Sequence, residues 1–212
     1  MLEVAGQPFI AWPLRQLAAA GFRRVVLCIG YRGDVLRDYV GDGDAFGLDV
    51  SYVDDGPTLL GTLGAVRSAL PLLDYDVPVL YGDTYLTVDF AAVIERHRAS
   101  GAAMTMTVLR NDGRWDRSNA RVSGGRVVAY AKDPSPRGAE WIDYGFSVFR
   151  ASALRDSTAS DLSALVGDLA ASGQVGAWPV SERFYEIGTP ESLQEAAAYL
   201  RRRPNGGGER PE

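Results

Sequence analysis

A carboxylate follows a predicted buried strand in the segment PVLYGDTYL, residues 78–86. Asp83 comes directly after Gly82, where the apolar run ends. In open α/β sheets, ligands bind beyond the carboxyl ends of the strands. Glycine lets a ligand approach the backbone closely, and a carboxylate at that edge can bind Mg²⁺, which prefers oxygen ligands and usually brings a phosphate. Gly82 is therefore a candidate substrate contact and Asp83 a candidate metal ligand, while a strand-ending turn or a helix cap is the alternative interpretation.

A second carboxylate with a similar setting occurs late in the chain. In RFYEIGTPESL, Glu186 stands just before a glycine turn and a predicted helix start. Two carboxylates from separate loops can converge on one or two Mg²⁺ ions that bridge phosphates. Taken alone, Glu186 is better explained as a surface residue.

The use of basic residues is strongly uneven. Lysine and arginine together number 22, and Lys132 is the single lysine. An ammonium and a guanidinium differ in shape, hydration and ease of pKa shift, which makes Lys132 a candidate functional residue, with chance as the alternative.

His97 falls on the apolar side of a predicted helix, so we expect it to be packed rather than catalytic. The loop WDRSN (115–119) can serve as a polar substrate contact, a lid or plain surface.

These residues need a scaffold, and the first half of the chain predicts one in which helices and strands alternate. Such alternation implies an α/β fold with a mostly parallel sheet covered on both faces, that is, three α/β/α layers. The run RRVVLCIGY reads as a strand buried on both faces, with Cys28 as a buried structural thiol. The predicted helices are PFIAWPLRQLAAAG, RGDVLRDYV, LLGTLGAVRSAL and DFAAVIERHRASG, and the other predicted strands are LDVSYV, DVPVLYGD and AAMTMTVLR.

After Arg110 the pattern becomes richer in strands. ARVSGG and RVVAYAK predict two short strands around a Gly-Gly turn. EWIDYGFSVFR and VGAWPV predict further strands, and DLSALVGDLAASG and TPESLQEAAAYLRRR predict helices. Thr189 is the expected N-cap of the last helix, with Pro190 at its first position. We therefore expect one domain over residues 1–203, followed by a disordered tail at 204–212.

Bulk composition excludes several classes of protein. The net charge of −5 over 212 residues provides no basic footprint for nucleic acid. No stretch approaches the ~20 apolar residues of a membrane span, and the start lacks the features of a signal peptide. We expect a cytoplasmic protein without a nucleic-acid or membrane partner, and a homo-oligomer remains open.

The ordered segments GQPFIAWPLRQLAAAGFRRVVLCIGY, LLGTLGAVRSALPLL, VLYGDTYL, RVVAYAK, IDYGFSVFR and FYEIGTPESLQEA resemble the sugar-phosphate nucleotidyltransferase family. Within it, the nearest group is that of the heptose- and mannose-1-phosphate guanylyltransferases. The resemblance implies the Rossmann-like nucleotide-diphospho-sugar transferase fold. It also implies a reaction in which a sugar 1-phosphate attacks the α-phosphate of a nucleoside triphosphate. The products are a nucleotide-sugar and pyrophosphate, and the cofactor is Mg²⁺.

The resemblance also implies roles for individual residues. Asp83 and Glu186 match the metal-binding positions, although relatives often carry aspartate at the second one. Lys132 matches the lysine that contacts the sugar phosphate. The remaining matches are substrate-binding: the nucleoside loop contains Gly61, Thr62 and Gly64, and the strand that lines the sugar pocket contains Asp143 and Gly145.

The chain departs from the family pattern at its start. Family members begin with a strand and a glycine-rich phosphate loop, which the resemblance places ahead of Met1. One explanation is a start further upstream. The other is a relative that binds nucleotide-sugar or a partner without turnover, for example as a regulatory subunit. A glycosyltransferase of related fold is a third interpretation, but such enzymes commonly place Asp-x-Asp at the metal, and this chain has Asp83-Thr84-Tyr85.

Overall fold

A computed structural model describes residues 1–56 and 60–203. The tail predicted at 204–212 and Leu59, the first residue of one predicted helix, lie outside the described residues. Described residues of 1–59, 81–87 and 184–212 form one compact unit, and residues 60–80 with 88–183 form a second.

The described residues form twelve strands and seven α-helices. The strands in the described residues are β1 (Glu3–Val4), β2 (Gln7–Pro8), β3 (Arg24–Ile29), β4 (Asp49–Asp54), β5 (Asp76–Leu80), β6 (Thr84–Tyr85), β7 (Met104–Arg110), β8 (Ala120–Ser123), β9 (Arg126–Tyr130), β10 (Trp141–Arg150), β11 (Val175–Val180) and β12 (Tyr185–Glu186). The α-helices there are α1 (Ala11–Ala19), α2 (Gly33–Val40), α3 (Gly61–Ala69), α4 (Phe90–Ser100), α5 (Ala151–Arg155), α6 (Leu162–Ala171) and α7 (Pro190–Arg201).

The helix ends confirm the capping signals of the sequence. The carboxylate of Asp89 accepts a hydrogen bond from the Ala92 N–H at 3.0 Å and caps α4. The hydroxyl of Thr189 accepts one from the Ser192 N–H at 3.1 Å and starts α7, with Pro190 at the first helical position. Such caps satisfy amide groups that the first helical turn leaves without a partner.

The first unit contains two apolar clusters. One lies between the parallel pair β3–β4 and helices α1 and α2, where Leu14, Val40 and Val50 are buried. The other surrounds Phe9, Trp12, Tyr85 and Leu200, which bring α1, β6 and α7 together.

The second unit is a six-stranded sheet with helices on both faces. The strand order is β5-β10-β7-β11-β9-β8. On β7, Met104 and Met106 lie in the same apolar cluster as Leu63 of α3 and Leu165 of α6. Thr105, between those methionines, bonds instead to His97 of α4 at 3.0 Å. Because successive side chains of a strand point to opposite faces, this unit has three layers.

Two details differ from the sequence prediction. In the described residues the pairs β3–β4 and β7–β11 are parallel, whereas the other pairings are antiparallel, so the expectation of a mostly parallel sheet is wrong. The physical reason is that β10, the longest strand, runs antiparallel between β5 and β7, and a run of apolar residues does not reveal strand direction.

The second difference concerns the burial of β3. Val25 and Leu27 pack on the apolar cluster of the first unit, but Cys28, which lies on the other face, is exposed. The expectations of a strand buried on both faces and of a buried thiol are therefore wrong. His97, by contrast, is fully buried, as expected. No helix within residues 1–56 and 60–203 has the length and apolar character of a membrane span.

Candidate functional site

The short antiparallel pair of β6 and β12 connects the two candidate metal ligands in the first unit. Thr84 pairs with Glu186, and Tyr85 pairs with Tyr185. The Ile187 N–H donates to the Asp83 carbonyl at 3.2 Å, which extends the ladder by one residue. The backbone of Asp83, directly before β6, therefore lies next to that of Glu186 on β12, although 103 positions separate the two residues in the sequence.

An aromatic cluster supports this ladder from helix α7. The rings of Tyr185 and Tyr199 stack with centroids 4.0 Å apart, and the ring of Tyr85 lies 6.1 Å from that of Tyr199. Tyr85 is only 4% exposed, and burial raises the pKa of its phenol. Stacked aromatic pairs stabilise by more than the area that they bury, so the two-residue strands gain support that backbone pairing alone would not provide. Tyr85 therefore has a packing role.

Local hydrogen bonds orient both carboxylates. The Thr84 hydroxyl donates to Oδ1 of Asp83 at 2.9 Å. The Gly188 N–H donates to Oε2 of Glu186 at 2.5 Å. A Cβ atom on Gly188 would lie 2.6 Å from that same oxygen, so the absence of a side chain at position 188 lets the Glu186 carboxylate fold back against its own backbone.

Asp83 and Glu186 are the candidate metal ligands of the first unit. Asp83 is exposed and Glu186 partly buried. No group of three or more His, Cys, Asp or Glu side chains suited to a metal gathers in the described part of the chain. Mg²⁺ is usually bound by one or two carboxylates together with phosphate and water oxygens rather than by a cage of protein ligands. Asp83 and Glu186 match that smaller ligand set.

The second unit brings Lys132 and Asp143 together. Asp143 is partly buried on β10, and this burial raises the pKa of its carboxyl group. Three neighbours act in the opposite direction: the Gly145 N–H, which donates to Oδ1 at 3.1 Å, the Lys132 ammonium, and the Tyr130 hydroxyl, 3.4 Å from Oδ2. An acidic group on β10 and a basic group just after β9 therefore interact electrostatically.

Gly145 lies at an irregularity of β10. The pairing of β10 with β7 shifts register between Asp143 and Ser147. Gly145 has a φ of 101° there, a conformation that side chains rarely adopt. The shift turns the Gly145 N–H toward the Asp143 carboxylate, so the predicted residues Asp143 and Gly145 form one local structure.

The three predicted nucleoside contacts lie in the first turn of α3. Gly61 opens the helix with a φ of 67°, and Thr62 is exposed. A Cβ atom on Gly64 would lie 2.7 Å from Cβ of Leu60. Gly64 therefore has a packing reason of its own, whereas Gly61 and Thr62 present backbone and hydroxyl groups at a helix start, where amide groups face an incoming ligand.

Comparison with known proteins decides the family. Residues 1–119, more than half of the chain, match the family model described as nucleotidyl transferase. The chain belongs to the nucleotidyl transferase family.

Individual relatives agree with this family assignment. Over 151 residues the chain is 32% identical to mannose-1-phosphate guanylyltransferase of Mycobacterium tuberculosis, with 70% of this chain and 42% of the relative covered. Over 96 residues it is 36% identical to N-acetylmuramate alpha-1-phosphate uridylyltransferase of Neisseria meningitidis, with 45% and 42% covered. The chain thus spans about two fifths of the length of these relatives.

Solved structures confirm the fold class. The crystal structure of HddC from Yersinia pseudotuberculosis superposes with a TM-score of 0.78 at 20% sequence identity, and the match covers 94% of this chain and 88% of that one. At this level of identity the similarity establishes the fold alone. The expected nucleotide-diphospho-sugar transferase fold is confirmed.

Sequence reasoning missed several residues of the candidate site. Asn119 accepts a hydrogen bond from the Asp143 N–H, and Tyr130 contacts the Asp143 carboxyl group. Asn119 does fall within the loop WDRSN, for which a polar contact is one of the expected roles. The role of Gly188 has no local sequence signal, because it depends on how the Glu186 side chain folds back.

Proposed function

We propose that the protein is a Mg²⁺-dependent sugar-1-phosphate nucleotidyltransferase. A phosphate oxygen of the sugar 1-phosphate forms a bond to the α-phosphorus of a nucleoside triphosphate. The bond from that phosphorus to the bridging oxygen of the β-phosphate breaks, and pyrophosphate leaves. No covalent enzyme intermediate is required, so catalysis rests on positioning and on neutralisation of charge.

The residues of the second unit would hold the sugar phosphate and the nucleoside. The Lys132 ammonium suits a phosphate, which it contacts as a point charge. The Asp143 carboxyl group suits sugar hydroxyls, because a carboxylate accepts several hydrogen bonds. Gly61, Thr62 and Gly64 would lie against the nucleoside, where small residues let a base and ribose approach the backbone.

Asp83 and Glu186 would hold Mg²⁺ in the first unit, with Gly82 as a backbone contact to substrate. When bound, the ion supplies positive charge to the phosphate groups and fixes their orientation. The observation that supports the proposal is the β6–β12 pairing, which brings the backbone of Asp83, directly before β6, next to that of Glu186 in a member of this family.

The chemistry of the substrates indicates the setting of the protein. Nucleoside triphosphates and sugar phosphates are metabolites of the cytoplasm, and we propose that the protein acts there in nucleotide-sugar biosynthesis. Its partners would be these two small molecules rather than nucleic acid or a membrane, in agreement with the net charge of −5.

The test is pyrophosphate release by the protein as its own cell produces it. The relatives named above are a uridylyltransferase and a guanylyltransferase, so all four nucleoside triphosphates should be combined with mannose, glucose and heptose 1-phosphates. We expect release with at least one pair, and loss of that release when EDTA removes Mg²⁺. Transfer of sugar to an acceptor without pyrophosphate would instead identify a glycosyltransferase and contradict the proposal.

A further inference from the structure

Asn119, directly before β8, bonds both to β10 and to the residue that follows β9. Its N–H donates to the Trp141 carbonyl at 2.9 Å, and its own carbonyl accepts from the Ala131 N–H at 3.1 Å. Its side-chain Oδ1 accepts from the Asp143 N–H at 2.9 Å. One residue therefore contacts the backbone directly before Lys132 and the backbone of Asp143.

The side chain of Asn119 accepts a hydrogen bond from β10 beyond the point where the backbone pairing of β8 and β10 ends. Strands β8 and β10 pair at Ala120 and Trp141. The next N–H of β10 on that side belongs to Asp143, and its acceptor is the Asn119 amide oxygen. A side-chain carbonyl thus takes the place of a strand carbonyl at Asp143, the proposed sugar-binding residue.

The loop that carries Asn119 is itself held by a buried residue. Asn111, only 3% exposed, donates from Nδ2 to the Asp116 carbonyl at 2.7 Å and to the Ser118 hydroxyl at 2.9 Å. Its Oδ1 accepts from the Trp115 N–H at 2.9 Å. A buried polar group destabilises the protein when it has no hydrogen-bond partner. This network therefore stabilises the conformation of residues 111–119, which includes Asn119.

We propose that Asn119 is a positioning residue that sets the distance between Asp143 and Lys132 and thereby the affinity for the sugar 1-phosphate. This inference rests on the proposed function. The Asn119 carbonyl holds the end of β9 next to Lys132, and the Asn119 amide holds the backbone of Asp143. Removal of the amide frees the backbone of Asp143, while the Asn119 carbonyl still holds Ala131.

The test compares Asn119→Ala, Asn119→Asp and Arg114→Ala with the wild type. Alanine removes the acceptor for the Asp143 N–H, whereas aspartate keeps an acceptor oxygen at the same reach. Arg114 lies on the same loop and pairs with Asp112 at the exposed surface, so its alanine variant controls for nonspecific loosening of the loop. Steady-state pyrophosphate release should be measured against each substrate in turn, together with the melting temperature of each variant.

We expect Asn119→Ala to raise the KM for the sugar 1-phosphate about 3- to 10-fold, the range that a single hydrogen bond supplies. The KM for the nucleoside triphosphate should change by less than about twofold, since the amide does not contact the helix α3 residues. Asn119→Asp should lie closer to the wild type than Asn119→Ala, and Arg114→Ala should match the wild type.

The failures of the two proposals differ. A wild type that releases no pyrophosphate with any substrate pair would refute the proposed function. An active wild type whose KM for sugar 1-phosphate is unchanged in Asn119→Ala would refute the positioning role alone. An equal rise in both KM values, or no difference between Asn119→Ala and Asn119→Asp, would reduce Asn119 to a structural residue and would also overturn the inference.

Discussion

The substitution Gly188→Ala should move the Glu186 carboxylate, a proposed metal ligand, while the protein still folds. A Cβ atom at this position would lie 2.6 Å from Oε2 of Glu186, which is closer than real contacts of a Cβ atom. The clashing atom is the end of a flexible side chain, so the Glu186 carboxylate can swing away at little cost. The backbone of Gly188 does not have a positive φ, so an alanine can adopt its conformation.

The expected magnitude follows from the bond that the movement breaks. Oε2 of Glu186 accepts the Gly188 N–H at 2.5 Å. A hydrogen bond to a charged group contributes about 1.5–3 kcal/mol, and each 1.4 kcal/mol corresponds to a tenfold change in an equilibrium constant. We therefore expect the Mg²⁺ concentration for half-maximal activity to rise about 10-fold or more. The free energy of unfolding should fall by less than the bond contributes, since the freed carboxylate is solvated at this exposed site and alanine restricts the unfolded chain more than glycine by about 0.4–1 kcal/mol.

The assay is pyrophosphate release as a function of Mg²⁺ concentration, with urea unfolding measured in parallel. Gly176→Ala is the matched control, because a Cβ there would meet Oγ1 of Thr105 at an ordinary 3.5 Å and Gly176 belongs to the second unit. It should leave the Mg²⁺ dependence unchanged. If Gly188→Ala folds normally and its Mg²⁺ dependence stays within about twofold of the wild type, Glu186 does not contribute to the metal site.

Three further changes test other parts of the account. Lys132→Ala should raise the KM for sugar 1-phosphate by a much larger factor than the KM for the nucleoside triphosphate. Equal factors for both substrates would refute the contact between Lys132 and the sugar phosphate. Burial lowers the pKa of His97 despite the opposing charge of Asp76, so its contribution to stability is present above about pH 6.5 and is lost as pH falls through the lowered folded-state pKa. His97→Gln should therefore flatten the fall in unfolding free energy on that acidic side, and an unchanged slope would contradict this. Asn111→Ala should cost about 1–3 kcal/mol in urea unfolding, and a loss below about 0.5 kcal/mol would contradict the anchoring of its loop.

Long elements were predictable because their signals are local. The strand AAMTMTVLR corresponds to β7, and DFAAVIERHRASG corresponds to α4 with its Asp89 cap. The hairpin of β8 and β9 follows from its Gly-Gly turn. Each of these rests on side-chain periodicity or on a cap within a few residues, which physical chemistry ties directly to the backbone conformation.

Features that depend on distant partners were not predictable. The two-residue strands β6 and β12 carry no periodicity, and they exist because Tyr85 and Tyr185 pack near Tyr199. The exposed position of Cys28 depends on what covers the second face of β3, which the apolar run RVVLCI does not indicate. Strand direction in the sheet likewise depends on the path of the chain before β10.

In the candidate site, too, some features were predictable from the sequence and others depend on distant partners. Position within the chain and the resemblance to the family identified Asp83, Glu186, Lys132 and Asp143 as candidates. The hydrogen bonds that orient them were beyond sequence reasoning, because each joins groups whose approach is set by packing. The amide of Asn119 is the clearest case, since its partner on β10 is 24 residues away in the sequence.

The most direct test of the central claim is the effect of Asp83→Asn on pyrophosphate release in the presence of Mg²⁺. Asparagine keeps the size of the side chain and an acceptor for the Thr84 hydroxyl, which bonds to Oδ1 at 2.9 Å in the native protein, but it removes the negative charge that a metal ligand needs. We predict that release falls at least about 100-fold, in line with the loss of a group that neutralises transition-state charge, while the melting temperature stays near that of the wild type. Release near the wild-type rate would show that Asp83 does not bind the metal and would contradict the proposed site.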